Sequence, residues 1–277
     1  MLLGEPEQGV PDDAAQLVRL QPGGGRRARR LEGRRGILPV HSSSGHDVAR
    51  LTSAERGGAV LPVLRSPDGA ALLRWAPRRP GPPRVRVLVL HGGNEISESP
   101  TRWTDPAVLR MWLIARMLHR RIPDAAVALL RDRIRGWNDS GVEAVDDARW
   151  AADVLTGEDA DVPVVLVGHS MGGRVAVRVA GDPGIRGAVL LAPWLPDDEP
   201  VDTALRARVL VAVQGSADRT CSEESTRSWF SRAGLEGITP IRVLLPGAGH
   251  AMVRSLRRWD RLTRRGVEAV LRTPARP

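Results

Sequence analysis

The sequence predicts an α/β fold: a mostly parallel sheet with helices on both faces and no sizeable cap domain. Three observations predict it. From Ala59 onward, short apolar runs alternate with stretches of helical periodicity, the pattern of strands joined by right-handed helical crossovers. Several of those runs, Val85-Arg86-Val87-Leu88-Val89-Leu90 among them, are short and nearly all apolar, as strands covered on both faces are. The polar residues with chemical promise come directly after such runs, where parallel sheets place their functional sites.

Taken in order, Ala59–Leu64 and Ala70–Trp75 flank Ser66-Pro67-Asp68-Gly69, a turn signal that makes them an antiparallel hairpin. Val85–Leu90 is the first buried strand. Ala107–His119 spaces its apolar residues helically, Ala126–Leu130 is a strand, and Val142–Leu155 a helix. Strand Val164–Val167, helix Met171–Ala180 and strand Ala188–Leu191 follow. Strand Val209–Val213, helix Glu223–Ala233, strand Ile241–Leu245 and a helix after Val253 complete the series. The connection from Ala192 to Arg208 is too short for a helical cap.

The first 57 residues differ. Runs such as Gln21-Pro22-Gly23-Gly24-Gly25-Arg26-Arg27 bury too little apolar surface to offset the entropy of ordering, so 1–57 is read as a disordered Arg/Gly/Pro-rich arm. Residues 58–272 form the expected catalytic domain and 273–277 a short tail. The arm has no aromatic side chain on which bases could stack, so nucleic acid is not an expected partner. All 41 basic residues of the 277 are Arg, beside eight Trp, one Phe and no Tyr. This is the imprint of a biased codon usage, and it weakens the net charge of +9 as a sign of an anionic partner. One cysteine, Cys221, excludes an internal disulfide and a Cys-based metal site. No run reaches the length of a membrane span, and the start lacks a basic stretch followed by an apolar one. A cytoplasmic protein without metal or cofactor is therefore expected.

The strongest chemical signal is Val164-Val165-Leu166-Val167-Gly168-His169-Ser170-Met171-Gly172-Gly173. A strand runs into Gly-x-Ser-x-Gly and then into a helical pattern, the arrangement that holds a serine in strained geometry at a sharp turn. Side chains two residues either side would clash there, which calls for Gly168 and Gly172. The N–H of Met171 then opens a helix and suits a developing oxyanion.

With this motif the sequence resembles the α/β-hydrolase superfamily over about Ala59–Arg272. Leu90-His91-Gly92-Gly93-Asn94 matches the His-Gly motif of its members. The resemblance implies that the N–H of Gly93, or else of Asn94, completes the oxyanion hole, with His91 orienting the loop. It places the acid after a later strand, in Gln214-Gly215-Ser216-Ala217-Asp218, making Asp218 the choice; Asp197, Asp198, Glu199 and Asp202, after the preceding strand, offer a rival position. It places the base, His250, in Pro246-Gly247-Ala248-Gly249-His250 after the last strand. The order Ser, Asp, His is the order of this superfamily. Trp137, in a loop beside the expected mouth, Trp194 and Asn94 are candidate pocket residues. Cys221 has no base and orienting group of its own and is read as inert.

Ser170, His250 and Asp218 together imply a hydrolase that cleaves a carboxylic ester or thioester through an acyl-enzyme, with a small molecule as partner. Acyl transfer on the same three residues is one alternative. A binding protein that retains the fold is the other, although it has no use for the complete set.

Overall fold

The computed structural model describes residues 58–253 and 255–273. The arm expected over 1–57, with its His41 and His46, and the end beyond Thr273 lie outside the described residues.

Eight strands form one sheet in the order β1-β2-β4-β3-β5-β6-β7-β8. They are β1 (Val60–Arg65), β2 (Ala71–Trp75), β3 (Val85–Leu90), β4 (Ala125–Arg131), β5 (Val164–His169), β6 (Ile185–Leu191), β7 (Val209–Gly215) and β8 (Thr239–Leu245). β2 runs antiparallel to both β1 and β4, and every other pairing is parallel. The expected hairpin is closed by Ser66, whose hydroxyl accepts the Ala70 N–H at 3.0 Å, while Gly69 turns the chain at φ +101°.

Five helices cover the sheet: α1 (Pro106–Arg121), α2 (Val142–Glu158), α3 (Met171–Val179), α4 (Glu223–Leu235) and α5 (Leu256–Arg272). α1 and α5 pack against each other, as do α2 and α3. Leu88, Leu90, Leu130, Leu166 and Leu190 share one core with Ala144, Ala148 and Ala151 of α2, Val175 of α3, and Trp229 and Phe230 of α4. The alanine stripe lets α2 sit close to the sheet. On the other face Gly266 does the same for α5, since a β-carbon there would lie 3.0 Å from both γ-carbons of Val189. Burial of these apolar side chains, at roughly 25 cal/mol per Å², is the main force assembling the layers.

The expected strands and helices are all present, with ends moved by a few residues. The largest shifts, three residues each, are the start of β6 at Ile185 rather than Ala188 and the end of α2 at Glu158 rather than Leu155. The connection from Ala192 to Arg208 holds only a 3-10 turn, Thr203–Ala207, so it raises no helical cap over the carboxyl ends of the central strands. No helix among the described residues is long and apolar enough to cross a membrane.

Candidate active site

Ser170 follows the last residue of β5 and opens α3, with φ 54° and ψ −120°, a region that non-glycine residues enter only under compulsion. The surroundings supply it. The Ser170 N–H donates to the Leu191 carbonyl at 3.1 Å, and its own carbonyl accepts the N–H groups of Gly173 at 2.9 Å and Trp194 at 3.1 Å. A β-carbon on Gly168 would lie 2.1 Å from the Gly172 carbonyl oxygen, and one on Gly172 2.5 Å from the His91 carbonyl oxygen. The two glycines are thus a packing requirement of the turn.

The loops after β7 and β8 bring two further groups to Ser170. His250 Nε2 lies 3.0 Å from the Ser170 hydroxyl, and its Nδ1 lies 3.0 Å from an Asp218 carboxylate oxygen. The Asp218 side chain is fully buried. It also accepts from the Gln214 side-chain amide at 3.0 Å and from the N–H groups of Thr220 and Cys221 at 2.9 Å each. Burial alone would raise this carboxyl, but the hydrogen bonds from His250, Cys221 and Thr220 outweigh it and hold its pKa below the usual range. An ionised Asp218 fixes the proton of His250 on Nδ1 and leaves Nε2 free to accept from the serine. The rival acid is elsewhere: Glu199 is fully buried against Arg174 and Arg178.

The loop after β3 forms the opposite wall. His91 Nδ1–H donates to the Gly92 carbonyl at 2.7 Å, and its Nε2 accepts the Asp132 N–H at 3.1 Å, which defines a neutral ring. Burial lowers the pKa of His91 and raises that of Asp132 well above the carboxylate range. The loop is laced to the segment after β4: Asn94 N–H donates to the Arg135 carbonyl at 2.9 Å, and Trp137 N–H to the Asn94 carbonyl at 2.8 Å. The Asn94 N–H is therefore engaged. Neither Gly93 N–H nor Met171 N–H has a hydrogen-bond partner among the described residues. Gly93 and Asn94 are both exposed at the rim.

The two candidate tryptophans differ from each other. Trp137 lies in the core, only 2% exposed, with the Arg174 guanidinium 4.0 Å from its ring centroid and Trp194 edge-on at 6.0 Å. A ring covered in this way has no open face for a substrate, so Trp137 anchors the floor and does not line the mouth. Trp194 is half-buried beside it.

Three neighbours of the site were given no role from the sequence. Gln214 was hidden because it reads as the polar end of a strand, yet its side chain is buried and supports Asp218. Cys221 Sγ lies 3.9 Å from the Ser170 hydroxyl; burial pushes its thiol up to about 12, so it carries no thiolate near neutrality. His169 is buried, its ring 4.8 Å from that of His250. Its Nε2–H donates to the His250 carbonyl at 3.0 Å, tying the β8–α5 loop to the turn. Among the described residues no three His, Cys, Asp or Glu side chains converge as metal ligands.

Burial first, and the neighbouring His250 second, lower the His169 pKa from 6.5 to about 3. Between those values the unfolded chain binds a proton that the folded chain refuses, so stability falls as pH drops through that window. The expected slope is up to about 1.4 kcal/mol per pH unit. His169→Gln keeps a donor to the His250 carbonyl and does not titrate. Urea unfolding at pH 7 and pH 5 should show wild type losing roughly 2 kcal/mol more than the variant; parallel losses would show that His169 protonates in place.

The sequence model of the Alpha/beta hydrolase family matches residues 87–274. No curated protein matches the sequence. Among solved structures, an a/b serine hydrolase without lid from Xanthomonas campestris superposes with a TM-score of 0.59 at 22% identity, over 79% of this chain and 97% of that one. An alpha-beta serine hydrolase homologue from Coxiella burnetii gives 0.58 at 19%, over 76% and 97%. A thermophilic esterase from Thermogutta terrifontis, with propionate bound, gives 0.59 at 17%, over 78% and 94%. At these identities the likeness is one of fold.

Proposed function

Because this chain belongs to the alpha/beta hydrolase family, we propose that it is a serine hydrolase cleaving a carboxylic ester or thioester through an acyl-enzyme, with residues 58–272 as its catalytic domain. The observation that carries the reading is the unbroken chain from the Ser170 hydroxyl to His250 Nε2 and from His250 Nδ1 to Asp218, each link 3.0 Å.

In this mechanism the Ser170 oxygen attacks the carbonyl carbon while His250 Nε2 takes the hydroxyl proton. The oxyanion forms against the unengaged N–H groups of Gly93 and Met171. As the tetrahedral species collapses, the bond to the leaving alcohol or thiol breaks and His250 returns the proton to it. Water then adds to the acyl-enzyme, giving its proton to His250, and the acid departs as Ser170 regains its hydrogen. Asp218 stabilises the imidazolium at both stages. The uncapped strand ends favour a small or accessible ester, met at a rim that includes Asn94 and Trp194.

A fluorophosphonate probe tests the reading directly. Intact-mass analysis should show one adduct, mapped to Ser170 and absent from Ser170→Ala. Failure of the folded wild-type protein to react, or a label elsewhere in the chain, would overturn it.

A further inference from the structure

Away from Ser170, the outer surfaces of α1 and α5, with the start of β1 and the end of β2, border a half-open groove of about 1240 Å³. Its floor is apolar: Trp75, Trp112, Leu113, Met117 and Leu256 contribute to it. Leu113 and Leu256 are 57% and 51% exposed, unusual for leucines in a concave site.

Its charge is one-sided. Seven arginines line it, Arg116, Arg120, Arg257 and Arg261 among them, against one carboxylate, Asp260. Codon bias supplies arginine to the whole chain but does not sort it. Taking these seven and one from the 41 Arg and 32 Asp plus Glu of the sequence leaves 34 against 31, close to balance. Among the described residues, Arg264 alone of the seven pairs with a carboxylate, that of Glu268.

We propose that this groove binds an anionic amphiphile, a single molecule with an apolar body and a phosphate head. The apolar floor takes the body and the arginines the head, since guanidinium groups match phosphate oxygens two at a time. A free phosphate would leave the floor exposed to water. A membrane surface is a poor fit, because the apolar residues lie in a hollow and not on a convex face. Nucleic acid lacks a stacking platform: the Trp112 ring already has the Arg116 guanidinium 5.3 Å from its centroid, and Trp75 is 2% exposed. The proposal is independent of the chemistry assigned to Ser170 and is tested without turnover.

The probe is 1-palmitoyl lysophosphatidate below its micellar range, titrated into the full chain by calorimetry and tryptophan fluorescence. One-to-one binding is expected, at least tenfold tighter than that of monopalmitoylglycerol, which has the same tail and no charge. Arg116→Gln combined with Arg261→Gln should weaken it by tenfold or more. Leu113→Ser, at an exposed position that leaves folding intact, should weaken both probes. The proposal fails if lysophosphatidate does not bind, if the two lipids bind equally, or if the arginine variant, folded by circular dichroism, binds as wild type does. It fails equally if inorganic phosphate displaces the lipid completely at equal concentration, or if only phosphatidate vesicles or a poly-glutamate peptide bind.

Discussion

Ser170→Ala lowers kcat toward an activated ester by about a million-fold, and adding His250→Ala lowers it no further. The expectation comes from the geometry of a single hydrogen-bonded unit. With the hydroxyl gone, His250 has no proton to take, and with the imidazole gone the hydroxyl has no base within reach. Each loss disables the same step, so the two are not additive. Cys221 cannot substitute, because its thiol remains protonated at neutral pH. Asp218→Asn should be milder, about 10⁴-fold, since it removes the group that fixes the His250 tautomer and leaves nucleophile and base in place. Single and double variants compared by steady-state kinetics, with active sites counted by fluorophosphonate titration, decide the matter. A Ser170→Ala protein that keeps even a hundredth of the wild-type rate would remove Ser170 as the nucleophile, and a double variant far below both singles would mean that Ser170 and His250 do not act as one unit.

The centre of the sheet was legible in the sequence because its strands are buried on both faces. Val85–Leu90 and Val164–Val167 read as strands from hydrophobicity alone. The start of β6 was not legible, because Arg186 and Gly187 interrupt the apolar pattern; their strand state comes from the pairing of Gly187 with Val165 and Val209, which no local signal encodes. The same division holds in the site. The turn at Ser170 announces itself, since its glycines are dictated by contacts within a few residues and with the neighbouring β3 loop. Trp137 does not, because whether a tryptophan faces a pocket or a core depends on what covers it, and Arg174 covers it from another element. Glu199 is the sharpest case. A cluster of acids in a proline-bounded loop reads as solvated surface, yet its third member is wholly buried by arginines more than twenty residues earlier in the chain.

That glutamate carries the second large expectation: Glu199→Ala destabilises the fold by about 3–5 kcal/mol. Its carboxylate meets the Nε groups of Arg174 and Arg178, one turn apart on α3, and its carbonyl accepts from Arg232 of α4 at 3.0 Å. The Trp229 indole N–H donates to the adjacent Pro200 carbonyl at 3.2 Å. The uncapped connection between β6 and β7 is thus pinned down at the point where a cap would rise. Alanine leaves Arg174 buried with no countercharge, held over Trp137 and Trp194 at 4.0 and 4.6 Å, where stacking cannot replace a carboxylate. Thermal unfolding should drop by on the order of 10 °C for a domain of this size. Arg174→Met in the Glu199→Ala background should recover part of the loss, since it removes the stranded cation and keeps its volume over the indoles. A Glu199→Ala protein within about 1 kcal/mol of wild type would mean that water reaches these arginines and that the pair behaves like a surface salt bridge. If instead the double variant recovers stability while Glu199→Ala alone does not, desolvation of Arg174 is the reason the connection needs its glutamate.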